Sequence, residues 1–255
     1  MTGKNKKRIA LCLSGEPRNT MFCFPYIYEN FINLGKTYEV DVYIHTWRGF
    51  RAWDLYNPTK IFKEIVNEHK LFRDFKKGFV PKLEHNSLKE RMIEGGYYTT
   101  YSNTVRNMFL MFYSIKRCFD LTIDDSQQPY DFYIRSRFDI FFKSRFYIKN
   151  ILLDIEKNKY DMFIPYEFEN RPNSLNEYCD QISIGNYNSM EIYSNIINNL
   201  DFVVNKVQHF NSQFLLKFWL DYNKIKVNRF HVDWRIARQV EVLTNDETFN
   251  NFLSL

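Results

Sequence analysis

Two β-rich runs flank a helical one near the start of the chain. The strands fall at Arg8–Leu13 in RIALCLSGEPR and at Val40–Thr46 in YEVDVYIHTW; between them MFCFPYIYENFINLG, Met21 to Gly35, has helical apolar spacing. Strand, helix and strand in that order make a βαβ unit, which commits the chain to a parallel sheet with helices packed on it. Pro25 must lie in the first turn of the helix or break it, since proline removes a donor and clashes with the turn before it. TTYSNTVRNMFLMFYSIKRCFDLT places apolar residues at Val105, Met108, Phe109, Phe112, Ile115 and Phe119. That is a 3.6-residue period, with Ser102 or Asn103 as its N-cap.

YDFYIRSRFDIFF (130–142) and YDMFIPY (160–166) read as further buried strands. SMEIYSNIINNLDFVV and NSQFLLKFWLDYNKI read as helices, and KVNRFHVDWRIAR as a last strand-like segment. Arg48 to Gly96 is polar and charged, an irregular connection with a helix or two around KIFKEIV. No repeat, low-complexity tract or Gly/Ser linker intervenes. The expected fold class is α/β: a Rossmann-like, mainly parallel central sheet flanked by helices, in one domain over residues 1–255.

The net charge of +5 is partly the KNKKR run, Lys4 to Arg8, a solvated lead-in to the first strand. It is too short and isolated to argue for a nucleic-acid partner, although a mildly basic protein suits an anionic substrate. No apolar run approaches the 18 residues of a membrane span, and IALCL is too short for a signal-peptide core. Cys12, Cys23, Cys118 and Cys179 form no CxxC pair and no zinc spacing; Cys12 and Cys118 lie in apolar patterns as buried thiols. The expectation is a reduced, cytoplasmic protein.

The strand at 130–142 carries Arg135, Arg137 and Asp139 at alternate positions. Side chains alternate across a strand, so all three are expected on one face, spanning about 13 Å. Buried charges are costly unless paired or bound to an ion. One reading is a structural Arg137–Asp139 pair at a sheet edge. The other is an anion site, with Asp139 as a hard oxygen ligand for Mg²⁺ or Mn²⁺ and the two guanidiniums bonding phosphate oxygens. Ligands of open α/β sheets bind beyond the carboxyl ends of the strands. There Gly15 allows close backbone approach and Arg18 can reach a phosphate, though SGEPR is neither a Walker loop nor GxGxxG. His45, Thr46 and Trp47 end the second strand as core or as site residues.

IALCLSGEPR, DVYIHTW, YDFYIRSRFDIFF and DQISIGN, in that order from about residue 8 to 190, resemble blocks of small glycosyltransferases with the GT-A fold. These are the glycosyltransferases of chlorella-type giant viruses and of bacterial lipopolysaccharide or capsule loci. The resemblance implies a GT-A fold, a nucleotide-sugar donor (a UDP-sugar favoured, a GDP-sugar the alternative) and Mn²⁺ or Mg²⁺ at a DxD motif. Here that motif is Asp139-Ile140-Phe141, with one acid where the fuller pattern has two. Ser14, Gly15 and Arg18 would lie nearest the nucleoside, with His45 and Trp47 also on the donor side. Arg135 or Arg137 would face the donor sugar or diphosphate.

Residues from about 8 to 145 would bind the nucleotide sugar, and about 146 to 255 would serve the acceptor. In EYCDQISIGN, Asp180 is the first choice of general base if the reaction inverts the anomeric carbon, and Glu177 the second. If configuration is retained, Asp180 would orient the donor sugar; a mere turn cap is its structural alternative. VQHFNSQFLLKFW resembles a late family helix that often opens with Pro and Glu, replaced here by Ser212 and Gln213. His209 and His231 stand as late metal ligands or as structural residues. Arg235 and Arg238, three apart, would be neighbours over the diphosphate if WRIAR is helical.

The implied activity is transfer of a sugar to a hydroxyl of a glycan or glycoprotein, with no nucleic-acid partner and no membrane span, in the host cytoplasm if the source is viral. A nucleotidyltransferase or phosphohydrolase on the same sheet is one alternative. A non-catalytic carbohydrate-binding protein, with Trp47, Trp53 and Tyr56 stacking on sugars, is another.

Overall fold

A computed structural model describes residues 6–15, 20–45, 102–126, 128–145, 147–166, 177–207 and 211–237. Arg18, Thr46, Trp47, the connection at 48–96 with Trp53 and Tyr56, His209 and Arg238 lie outside the described residues.

The chain enters through β1 (Arg8–Ser14), α1 (Thr20–Asn30), a 3-10 helix (Ile32–Lys36) and β2 (Glu39–His45). Then come α2 (Ser102–Asp125), β3 (Phe132–Ser136), β4 (Ile140–Phe142), α3 (Ile148–Glu156), β5 (Met162–Pro165) and β6 (Ile182–Gly185). The described part ends with α4 (Tyr187–Ser194), a second 3-10 helix (Asn195–Asn199), α5 (Leu200–Val207), α6 (Ser212–Tyr222), β7 (Val227–Phe230) and β8 (Trp234–Ile236).

Six strands form one sheet in the order β2-β1-β3-β6-β5-β7. β1 runs parallel to β2 and β3, and β5 parallel to β7; β6 alone is antiparallel to its neighbours β3 and β5. The α/β class with a mainly parallel sheet flanked by helices is therefore as expected. Near-continuous apolar strands such as IALCL fit a sheet covered on both faces. Ile9, Leu11, Leu13, Ile44, Ile134 and Ile184 are fully buried in it. In α2 the expected stripe is buried at Met108, Phe112, Ile115 and Phe119. All four cysteines are buried free thiols. Among the described residues no helix is long and apolar enough to cross a membrane.

Four local expectations are corrected. Residues 130–142 are not one strand with three charges on one face. β3 stops at Ser136, Arg137–Asp139 turn the chain, and β4 leaves the sheet to pair with β8. The cause is a competing partner: Phe141 packs on Phe22 and Tyr26, and Phe142 edge-on against Phe31, all from α1 and its end. Pro25 sits in the second turn of an unbroken α1, where it costs one backbone bond, to the Met21 carbonyl.

The expected helix at 189–204 is three pieces. Asparagine side chains compete for the backbone at NIINN, where Asn199 Nδ2 donates to Asn195 O at 3.0 Å. Finally, 226–238 yields two strands in different sheets, so Arg235 lies in β8 and not on a helix.

Candidate functional site

The register brings the carboxyl ends of the parallel strands to one rim. Ser14 lies opposite His45, Leu13 opposite Ser136, and Ser136 opposite Ile182. Because β6 runs backwards, its start arrives at this rim, and Asp180 and Gln181 with it. Tyr166 follows β5 to the same edge, its N–H donating to Phe230 O of β7 at 3.0 Å. Gly15 turns the chain out of β1 at φ +119°, a conformation that side chains resist, and donates its N–H to His45 O at 3.2 Å.

Asp180 is fixed from several directions. Gln181 Nε2 donates to Oδ1, and Ser212 Oγ donates to Oδ2 at 2.5 Å. Its backbone carbonyl accepts from Arg135 Nη1 and from Tyr193 OH. The carboxylate also meets the first residue of α6, the end of a helix that favours negative charge. Arg135, 2% exposed, spans two strands, its Nε donating to Ser14 Oγ at 3.4 Å. It thus ties Ser14 of β1 to the lead-in of β6. Burial of an arginine is tolerable only with such partners. Glu177 is half-buried three residues upstream.

Arg137 and Asp139 form a forked pair. Nε donates to Oδ1 at 2.6 Å and Nη2 to Oδ2 at 2.7 Å, with Asp139 1% exposed and the Arg137 side chain 23% exposed. β8 braces the turn from outside, Ala237 N donating to Asp139 O at 2.8 Å. A divalent ion at Asp139 would need one of the oxygens that the guanidinium holds. Among the described residues no group of three or more His, Cys, Asp and Glu side chains could hold a metal ion. As placed, these residues do not fit Mn²⁺ or Mg²⁺.

His45 is 3% exposed, with Nδ1 2.7 Å from Ser114 Oγ and its ring edge-on to Tyr113. Burial, helped by the Arg117 charge, lowers its pKa to about 3, so the imidazole is neutral at physiological pH. Ser14 is likewise buried. Arg235, in β8, lies opposite Phe141, and His231 is exposed. A cleft of about 460 Å³ beside α2, walled by Lys116, Arg117, Asp120 and Asp201, contains none of the rim residues.

Two residues of this rim escaped the sequence. In sequence Ser212 reads as the loss of an acid, and Gln181 only as a member of the DQISIGN block. Only the fold brings Ser212 to Asp180, 32 residues earlier in the chain.

No protein-family model matches the sequence, and no curated protein matches it. Solved structures do. One, described as a nucleotide-diphospho-sugar transferase of Desulfovibrio desulfuricans G20, has 10% identity and a TM-score of 0.46, with 98% of this chain and 95% of that one covered. Mouse xyloside xylosyltransferase 1 in its apo form has 11% identity and a TM-score of 0.47, over 89% and 85%. A Bacillus anthracis protein described as a glucose-1-phosphate thymidylyltransferase has 11% identity and a TM-score of 0.44, over 96% and 98%. Likenesses this distant fix neither the activity nor the substrate of this chain.

Proposed function

We propose that this chain is a GT-A-type glycosyltransferase that moves a sugar from a nucleotide-diphosphate carrier, a UDP- or GDP-sugar, to a glycan hydroxyl. The observation that carries the reading is that Arg135, bonded to the Asp180 carbonyl, and the forked Arg137–Asp139 pair lie at or just past the carboxyl end of β3, at the rim where such folds bind ligands. The sequence blocks that resemble the family supply these same residues.

In this reading residues from about 8 to 145 hold the donor. Gly15 brings backbone to the nucleotide, with Ser14, Arg18, His45 and Trp47 around it. Arg137, oriented by Asp139, offers its charge to the leaving diphosphate as the bond from the anomeric carbon to phosphate oxygen breaks. Arg135 holds Ser14 and Asp180 in register and so fixes donor side against acceptor side. Asp180, steered by Gln181 and Ser212, takes the proton from the acceptor hydroxyl as its oxygen joins the anomeric carbon.

Thermal melting with a panel of UDP- and GDP-sugars, each with Mn²⁺ and with a chelator, tests the reading. A ligand that binds only the folded protein raises the melting temperature with its affinity. Stabilisation by one nucleotide sugar, followed by its transfer to a glycan, supports it. No stabilisation by any donor leaves a carbohydrate-binding protein with a decayed site. Pyrophosphate release without sugar transfer would point to a nucleotidyltransferase.

A further inference from the structure

The cleft beside α2 lies away from the rim and has no part in the donor chemistry. Its volume of about 460 Å³ is within the roughly 300–1,000 Å³ of sites that take small molecules. Tyr113, Lys116, Arg117 and Asp120 form one wall, at the i, i+3, i+4 and i+7 spacing that puts side chains on one helix face. The opposite wall exists because the chain breaks at NIINN. There the second 3-10 helix supplies Ile197 and Asn198, and the start of α5 supplies Asp201. Tyr113 also meets His45 edge-on at 5.9 Å between ring centroids, so the cleft backs onto the end of β2.

The two walls carry opposite chemistry. On α2, Lys116 Nζ donates to Asp120 Oδ1 and Arg117 Nη1 lies 3.8 Å from Oδ2, so two cations share one carboxylate. Across the cleft Asp201 is exposed, and its carboxylate makes no hydrogen bond or ion pair among the described residues. Asn198 is steadied by donating Nδ2 to Asn195 Oδ1 at 3.0 Å. The formal charges of the lining cancel, two cations against two carboxylates. A small anion would meet Asp120 between the cations and Asp201 opposite them; a small cation would meet Lys116 and Arg117. A hydroxyl suits both walls, because it accepts from an ammonium or guanidinium and donates to a carboxylate. Tyr113 and Ile197 add apolar surface for the C–H face of a sugar ring. A polyhydroxylated ring therefore matches this cleft better than an ion does.

We propose that the cleft between α2 and α5 is a carbohydrate site separate from the rim, holding a length of glycan. That this glycan is the far part of an acceptor rests on the transferase reading, but the binding itself requires only a carbohydrate.

Ligand-observed NMR with maltotriose, cellotriose, mannotriose and xylotriose tests it without any donor. At least one should receive saturation from the wild-type protein. Asp201→Ala, at an exposed position that the fold does not depend on, should weaken that binding about ten-fold, the worth of a hydrogen bond to a charged group. Asp180→Asn, on the rim, should bind the trisaccharide as the wild type does. Binding of none of the four, equal binding by Asp201→Ala, or its loss in Asp180→Asn would overturn the cleft as a glycan site. Displacement of the bound trisaccharide by millimolar inorganic phosphate would overturn it too, by making the cations the binding feature. The transferase reading fails separately. Glycan binding that needs Asp201, in a protein that no nucleotide sugar stabilises, keeps the cleft and removes the donor. A nucleotide sugar that stabilises wild type and Asp201→Ala alike, with no trisaccharide bound by either, does the reverse.

Discussion

The Arg137 guanidinium grips both oxygens of Asp139, two residues further on, at 2.6 and 2.7 Å. One partner is almost completely buried and the other reaches solvent, so the carboxylate acts as a mount that aims the guanidinium outward. Replacing Asp139 with Asn leaves one acceptor of two and no charge. We expect urea unfolding to show a loss of about 1–3 kcal/mol and sugar transfer to fall at least about 100-fold. Full transfer by Asp139→Asn would remove the pair from the chemistry. Arg137→Lys keeps the charge but loses the fork, and should lose most of the same activity.

The same fork bears on metal dependence. Millimolar Mn²⁺ should leave the melting temperature of the donor-free protein unchanged, and a chelator should not lower it. Occupancy of a real site at ten times its dissociation constant would stabilise the fold by about 1.4 kcal/mol, a readily measured shift. Such a shift, abolished in Asp139→Asn, would mean that the ion displaces Arg137.

Ser212 is the side-chain donor to Asp180 Oδ2. Ser212→Ala should slow turnover about ten-fold while leaving donor affinity within about two-fold, since the change loosens the base and spares the diphosphate site. Ser212→Thr, which retains the hydroxyl, should recover most of the rate. Equal losses in donor binding and turnover would show that Ser212 only supports the fold.

His45 links stability to pH. Its folded pKa, about 3, lies below its ordinary 6.5, so the unfolded chain takes up the proton first. Stability from this group is complete above about pH 7 and declines as pH falls through 6.5 toward 3. At pH 5 the loss should be about 2 kcal/mol relative to pH 7.5. His45→Gln should flatten that part of the urea-unfolding profile; an unchanged slope would show that other groups govern it.

Gly185 ends β6 where a side chain has no room. A Cβ there would strike Ser189 Oγ, which is bonded to Asp161 O, and would lie 3.2 Å from both that carbonyl and Met190 Cγ. Gly185→Ala should cost about 1–3 kcal/mol in urea unfolding. A loss below about 0.5 kcal/mol would show that Ser189 swings aside freely.

Local pattern carried much of this architecture and then gave out where distant partners decide. The βαβ start and the stripe of α2 are periodicities, and they are legible because burial on one face imposes them. The break after Ser136 is not periodic. The alternate charges Arg135, Arg137 and Asp139 in YDFYIRSRFDIFF run straight across it, and α1 and β8, remote in sequence, pull Ile140–Phe142 out of the sheet. For the site, the residue types at the rim were readable one strand at a time. Their mutual engagement was not: Arg135 with Ser14, and Ser212 with Asp180, span 121 and 32 residues of chain. The stack of His231 on Tyr166 was least legible, since a lone histidine in KVNRFHVDW gives no sign that a tyrosine 65 residues earlier lies flat against it.

The bracing of the Asp139 turn by β8 also sets an order of events at the ribosome. β1, β2 and β3 are complete once Ser136 has emerged, yet Asp139 gains its Ala237 partner only some hundred residues later. At about 5–20 residues per second, a nascent chain spends about 5–20 seconds with these three strands made and this turn unbraced. The brace is therefore acquired last, and a chain lacking Trp234–Ala237 retains the sheet's first strands without it.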